Sequence, residues 1–398
     1  MSAECSPGNI PPGYKQTEVG VIPQDWDIEP LRCDVTLLSG QHVLAQHCNT
    51  SGDGVPYLTG PADFPSGKIQ LTKFTNRPTT LCKAGDILVT VKGSGSGTLV
   101  EADDSYCISR QLMAIRVKEW NAKFLFYSLL YNASKIKTSS TGLIPGLSRF
   151  DILDQEIPLP PTLAEQEAIA EALGDADAFI ESLEQLISKK RQIKQGAMHE
   201  LLTGKRRLPG FSGEWEIKQF GSVLKFQVGF PFSSSFFNEA GQGIRLVKNR
   251  DLKCDDQVFH YSGKIGDEFL VQDGDLLVGM DGDFLPCLWT KGPALLNQRV
   301  GRIVELPGLN RVFAFYYLIE PLKEIENVTS STTVKHLSHG DIEGIEKPLP
   351  CIEEQTAIAS ILSDMDSEII ALEEKLAKAR QIKQGMMQEL LTGRIRLL

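Results

Sequence analysis

Residues able to do chemistry are thinly scattered in this sequence, and their spacing suits recognition rather than catalysis. A glycine-rich run, KGSGSG from Lys92 to Gly97, follows an apolar stretch and has the outline of a cofactor-binding loop. It lacks the Gly-x-x-x-x-Gly-Lys-Ser/Thr spacing that cradles a nucleotide phosphate. The matching stretch further on, Met280 to Leu285, reads MDGDFL, so a flexible turn is expected at Lys92 to Gly97. His336 and His339 stand three apart with no third metal ligand in view. They are read as polar loop residues or as contacts to phosphates and bases. Asp281 and Asp283 fall in a turn without nuclease-like spacing, and no Asn/Asp-Pro-Pro-Tyr/Phe stretch of the amino-methyltransferase kind occurs. Eight cysteines (Cys5, Cys33, Cys48, Cys82, Cys107, Cys254, Cys287, Cys351) stand singly with no Cys-x-x-Cys. That pattern argues against zinc and against a secreted disulfide framework. No catalytic set, metal or cofactor is expected.

The elements that must position any site are easier to see, because a segment of about 50 residues occurs twice, about 189 positions apart. The copies run from Pro158 to Leu208 and from Pro348 to Leu397. RQIKQG recurs at Arg191 and Arg380, and ELLTG at Glu200 and Glu389. About 15 of 20 positions match between Lys189–Leu208 and Lys378–Leu397. A repeat this long is a duplicated module, not a solenoid unit.

Each copy reads as a long helix. PLPP (Pro158 to Pro161) breaks the preceding structure, and Thr162 with Glu165 fits a capping box; Cys351 takes the cap position in the second copy. Apolar residues then follow steps of four and three: Ile169, Leu173, Ala176, Ile180, Leu183 and Ile187, and again Ile358, Leu362, Met365, Ile369, Leu372 and Leu376. That spacing is a coiled-coil seam. Gly204 and Gly393 supply the stop. The first part of each helix is acidic and the later part basic, so parallel pairing would oppose like charges; an antiparallel pair is expected. A helix of ~40 residues spans ~60 Å at 1.5 Å per residue, longer than the roughly 35 Å turn of B-DNA. The seam breaks at Lys194 and Lys383, beside Gly196 and Gly385. The glycines leave open a kink, close approach by a partner, or a frayed end.

The regions before the helices correspond more loosely. Trp26 matches Trp215, Gly85 to Val89 matches Gly274 to Val278, and Phe124 to Tyr127 matches Phe313 to Tyr316. Leu147, Ser148 and Asp151 match Leu337, Ser338 and Asp341, while the linking stretches diverge. One scaffold with two different surfaces suggests related tasks on different targets. The 398 residues suffice for two or three domains with their own cores. No apolar run approaches the ~20 residues that span a bilayer, and the start lacks the pattern of a signal peptide. A cytoplasmic protein without membrane association is expected. The net charge of −10 weighs against a chain coated in nucleic acid but permits a local basic face.

GYKQTEVGVIPQDW (Gly13 to Trp26), RLPGFSGEW (Arg207 to Trp215), and the PLPP (PLPC in the second copy), RQIKQG and ELLTG stretches closing each half are together specific. Over nearly its whole length the chain resembles the specificity subunits of type I restriction-modification systems. The resemblance implies an α+β fold with a pseudo-two-fold repeat: two similar α/β target-recognition domains separated by an antiparallel pair of long coiled-coil helices. Residues 1–157 and 209–347 would be the recognition domains, and 158–208 and 348–398 the spacer helices. Each domain would read one part of a bipartite asymmetric site on double-stranded DNA. The conserved regions would dock two methyltransferase subunits, and the complex would recruit restriction (nuclease and translocase) subunits. In the family, helix length around ELLTG sets the spacer; both copies keep the same length here.

Phosphate contacts need cations, hydroxyls or amides, whereas base edges favour Arg on guanine and Asn or Gln on adenine. The candidates in the first half are Lys92, Arg110, Gln111, Lys135, Lys137, Ser139, Ser140 and Arg149. Those in the second are Lys248, Asn249, Arg250, Asn297, Gln298, Arg299, Lys335, His336 and His339. Two other readings remain at this point, a fused methyltransferase or nuclease and a scaffold indifferent to sequence.

Overall fold

The computed structural model describes residues 10–93, 95–138, 146–264, 266–328 and 335–397. It divides into two compact units, Met1–Gln185 with Glu374–Leu398, and Leu186–Glu373. Each unit thus holds one head, the first half of one long helix and the second half of the other.

In the first unit a four-stranded antiparallel sheet is ordered Val35–Ser39, Leu112–Val117, Ile87–Thr90, Leu99–Glu101. A second sheet is ordered Cys107–Ile108, Val55–Leu58, Phe74–Thr75, Cys48–Asn49, with its first pair parallel. The second unit repeats the first sheet as Leu224–Val228, Val300–Glu305, Leu276–Gly279, Pro286–Leu288. Its other sheet gains an edge strand, Leu270–Val271, paired with Ala294–Leu296. The central strands Ile87–Thr90 and Leu276–Gly279 are buried at every residue, which explains the apolar runs Ile87 to Val89 and Leu276 to Val278: both faces are covered. Gly85 and Gly274 enter them with φ of +84° and +89°, a conformation costly for any residue with a Cβ.

A short helix starting at Ala122 or Arg311 carries Phe124, Leu125 and Tyr127, or Phe313, Ala314 and Tyr316, into the core. Ser148 with Asp151, and Ser338 with Asp341, form complete capping boxes on the next short helices.

The long helices run Leu163–Leu202 and Ile352–Leu390. Thr162 Oγ1 accepts from the Glu165 amide at 3.2 Å, the first half of the expected capping box. The Glu165 carboxylate is drawn instead to Arg396. Gly204 and Gly393 end the helices with φ of +70° and +68°. The seam serves two purposes. Ile169 and Leu173 lie in the first head's core with Met387, Leu390 and Leu391, and Ile358 and Leu362 lie in the second's with Leu201. Further along, Leu183, Ile187 and Ile369 are buried, and Ala176, Ile180, Met365, Leu372 and Leu376 are half-buried.

Charge fixes the pairing as antiparallel within each unit. Glu184 meets Arg380 at 2.7 Å and Asp177 meets Lys383 at 2.5 Å in the first. In the second, Glu373 meets Arg191 at 2.6 Å, Asp366 meets Lys194 at 2.5 Å, and Glu368 meets Lys190 at 2.6 Å. The lysines that interrupt the seam are therefore half of its electrostatic register. Gly196 and Gly385 lie inside unbroken helix, and a Cβ at either would meet nothing within 4 Å. Among the described residues, no helix is long and apolar enough to cross a membrane.

Candidate nucleic-acid interface

The two heads bring their polar loops together by the same device. Past the end of its buried strand, the chain is held on both sides by main-chain hydrogen bonds. In the first head Val91 donates to Gln111 and accepts from Leu147, at 2.8 and 2.9 Å. In the second, Met280 donates to Arg299 and accepts from Leu337, at 3.0 and 2.8 Å. The next residue bridges across, Lys92 to Gly146 and Asp281 to His336. Sheet geometry thus gathers segments more than fifty residues apart onto one edge.

In the second head this edge holds most of the expected residues. Gln298 and Arg299, both exposed, occupy the turn closed by the Val300 amide on Asn297; Asn297 itself is half-buried. Asp281 binds Arg299 through one carboxylate oxygen and lies 2.9 Å from His336 Nδ1 through the other. Asn249 donates to the Asp281 carbonyl. The Lys335 carbonyl accepts from the Gly282 amide at 3.1 Å, and its ammonium stands 3.7 Å from Glu326. Asp281, Gln298, Arg299 and His336 line an open depression of about 380 Å³. His339 is exposed at the start of its short helix. Phe230, 44 % exposed, adjoins this edge: its carbonyl accepts from the Gln298 amide.

Lys248 and Arg250 have other engagements. The Lys248 ammonium sits 2.9 Å from the Phe259 ring centre, and burial, then Arg250, pushes its pKa down. Arg250 donates to Gln257.

In the first head Lys92, Arg110 and Gln111 are exposed on the corresponding edge, with no ion-pair partner for Lys92 or Arg110 among the described residues. Arg149 is tied inward, donating to Ser39 Oγ at 2.7 Å and the Leu37 carbonyl at 3.0 Å. Ser139 and Ser140 lie outside the described residues, as do the side chains of Lys135 and Lys137. The Lys92–Gly97 turn, expected to be flexible, is packed at one point: a Cβ on Gly95 would stand 2.5 Å from Pro61.

Sequence reasoning missed Asp281 as the hub of the second cluster. A signal existed, since Asp281 occupies the repeat position of Lys92 and reverses its charge.

The family model described as type I restriction modification DNA specificity domain matches twice, over residues 23–193 and 212–383. The chain belongs to that family. A specificity subunit of the type I enzyme EcoBI from Escherichia coli is 37 % identical to this specificity chain over 186 residues, covering 46 % of the chain and 39 % of that protein. The MjaVIII specificity subunit of Methanocaldococcus jannaschii is 24 % identical over 94 % of both. A crystal structure of the type I S subunit from M. genitalium aligns with a TM-score of 0.62 at 18 % identity, covering 92 % of this specificity chain and 96 % of that one. A second structure, from work on complex assembly and conformational transition of a type I system, gives 0.56 at 17 % identity, covering 94 % and 99 %. At such identities the structures speak for the fold.

Proposed function

We propose that this chain is the DNA-reading, non-catalytic subunit of a cytoplasmic type I restriction-modification complex. Each head reads one part of a bipartite asymmetric site. Residues 1–157 and 209–347 act as the recognition domains, and 158–208 and 348–398 as the spacer helices that dock two methyltransferase subunits. Restriction subunits join that assembly, and the chain needs no cofactor of its own. One observation carries the reading: the same loop-gathering edge occurs in both heads with different chemistry, Lys92 and Arg110 in one, Asp281, Arg299 and His336 in the other. A shared frame presenting different side chains is what two different base sequences require, because phosphates position a protein while base edges discriminate.

The test is to co-express the chain with its methyltransferase subunit and map methylated adenines across the host genome. Two short defined blocks around a fixed gap are expected, and exchanging residues 1–157 for those of a relative should change one block only. A continuous motif would leave a single reading head, and binding without sequence preference would make the chain a scaffold.

A further inference from the structure

Both oxygens of the Asp281 carboxylate are engaged, one by Arg299 and one by His336. Its side chain is 14 % exposed, whereas those of Arg299 and His336 are 62 % and 61 % exposed. The acid is therefore a floor and the two bases a rim. Holding a long side chain in place before binding removes rotamer entropy that would otherwise be lost on contact. Arginine offers five N–H donors in a rigid plane. Asp281 engages Nη1, and Nη2 and Nε have no partner among the described residues. A fixed guanidinium fork in a groove is the commonest specific contact to guanine O6 and N7.

We infer that Asp281 is a positioning residue that presents Arg299 to a guanine in the half-site of the second head, an inference that rests on the heads reading DNA as proposed above. The first head lacks this device. Lys92 stands where Asp281 stands, and Gln111 stands where Arg299 stands, its carbonyl accepting from Val91 as that of Arg299 accepts from Met280, so this place in the first head has neither the carboxylate nor the guanidinium.

The test uses the complex assembled with its methyltransferase subunit, the mapped motif, and duplexes in which each base pair of that motif is changed singly. Head exchange assigns each block to its head. Arg299→Lys keeps the charge and loses the fork, so discrimination at one G·C pair of the second block should fall about tenfold or more, with the first block unchanged. Asp281→Asn should relax the same pair. If Arg299→Lys reads like wild type while Arg299→Ala weakens all sequences alike, Arg299 is a phosphate contact and the inference is overturned. If Arg299→Lys relaxes the pair and a folded Asp281→Asn does not, the positioning role alone is lost. A wild-type complex that discriminates at no base pair would sink the reading itself.

Discussion

Arg396 closes a two-pronged ion pair with Glu165, 231 positions earlier in the chain. It also holds Asp25 at 2.9 and 3.1 Å. The second unit builds the same contact from Arg207 and Glu354, with both prongs at 2.7 Å. The guanidinium lies over Trp26 in one case and Trp215 in the other, each 5.7 Å from the ring centre. The first unit therefore takes from the far end of the chain what the second takes from the segment just before its head.

Because Glu165 is 1 % exposed, Arg396→Ala leaves a buried carboxylate without its main partner. Losing one member of a buried pair costs about 3–5 kcal/mol, so the first unit should unfold at markedly lower urea. A chain cut after Leu391 should behave the same way. Replacing Glu165 and Arg396 together by Gln and Met should restore part of the loss. Unchanged urea midpoints for Arg396→Ala would show that the pair contributes nothing net.

A second contact occurs once in each unit. Tyr127 donates to Asp177 at 2.8 Å beneath Lys383, and Tyr316 donates to Asp366 at 2.7 Å beneath Lys194. One carboxylate thus ties a head tyrosine on its own side to a lysine of the opposite helix. Tyr127→Phe should cost about 1.5 kcal/mol, the usual contribution of a hydrogen bond to a charged group. A double-mutant cycle between Tyr127→Phe and Lys383→Met should show coupling, since both act through Asp177. Simple additivity in that cycle would separate the two contacts.

The helices and the frame of the heads were legible because their determinants are local or periodic. The seam, the Gly204 and Gly393 stops and the acidic-to-basic drift need only sequence spacing. What a seam residue touches was not: Ile169 and Leu173 look like Leu183 in the sequence, yet they enter a head core. Likewise Thr162 and Glu165 spell a capping box, and only a partner 231 positions away diverts the carboxylate. At the candidate site, residue type suggested Arg149 and Arg299 equally. The fold binds Arg149 to Ser39 and Leu37 and leaves Arg299 on an exposed rim. Those outcomes depend on contacts across more than a hundred residues, which no spacing rule supplies.

Alkaline pH should loosen both units through their buried tyrosines. Burial, then Asp177, raises the Tyr127 pKa well above its usual value. Burial raises Tyr316 and Tyr317 to about 12. In the unfolded chain these phenols ionise near pH ~10. Their folded pKa values are raised, so the stability they contribute is complete below about pH 10 and declines as pH climbs toward 12. Melting temperatures between pH 8 and 12 should show this fall, and Tyr316→Phe should lessen it in the second unit, where Tyr317 remains. A flat profile would mean that the phenols reach solvent before unfolding.

Lys92 and Arg149 carry the same charge in the same head and should fail in different assays. Lys92 is exposed without an ion-pair partner among the described residues, so Lys92→Ala should weaken DNA binding by the assembled complex. It should also lower the slope of log affinity against log salt by about one, with the melting temperature unchanged. Arg149 holds the start of its short helix to the Val35–Ser39 strand. Its loss should remove about 1 kcal/mol of stability, the usual order for such hydrogen bonds, while the salt slope stays as it was. Titrations from 50 to 200 mM salt beside thermal melts decide the matter. If Arg149→Ala lowers the slope and spares the melt, its inward hydrogen bonds give way on the duplex, and the phosphate-binding edge of the first head extends to that residue.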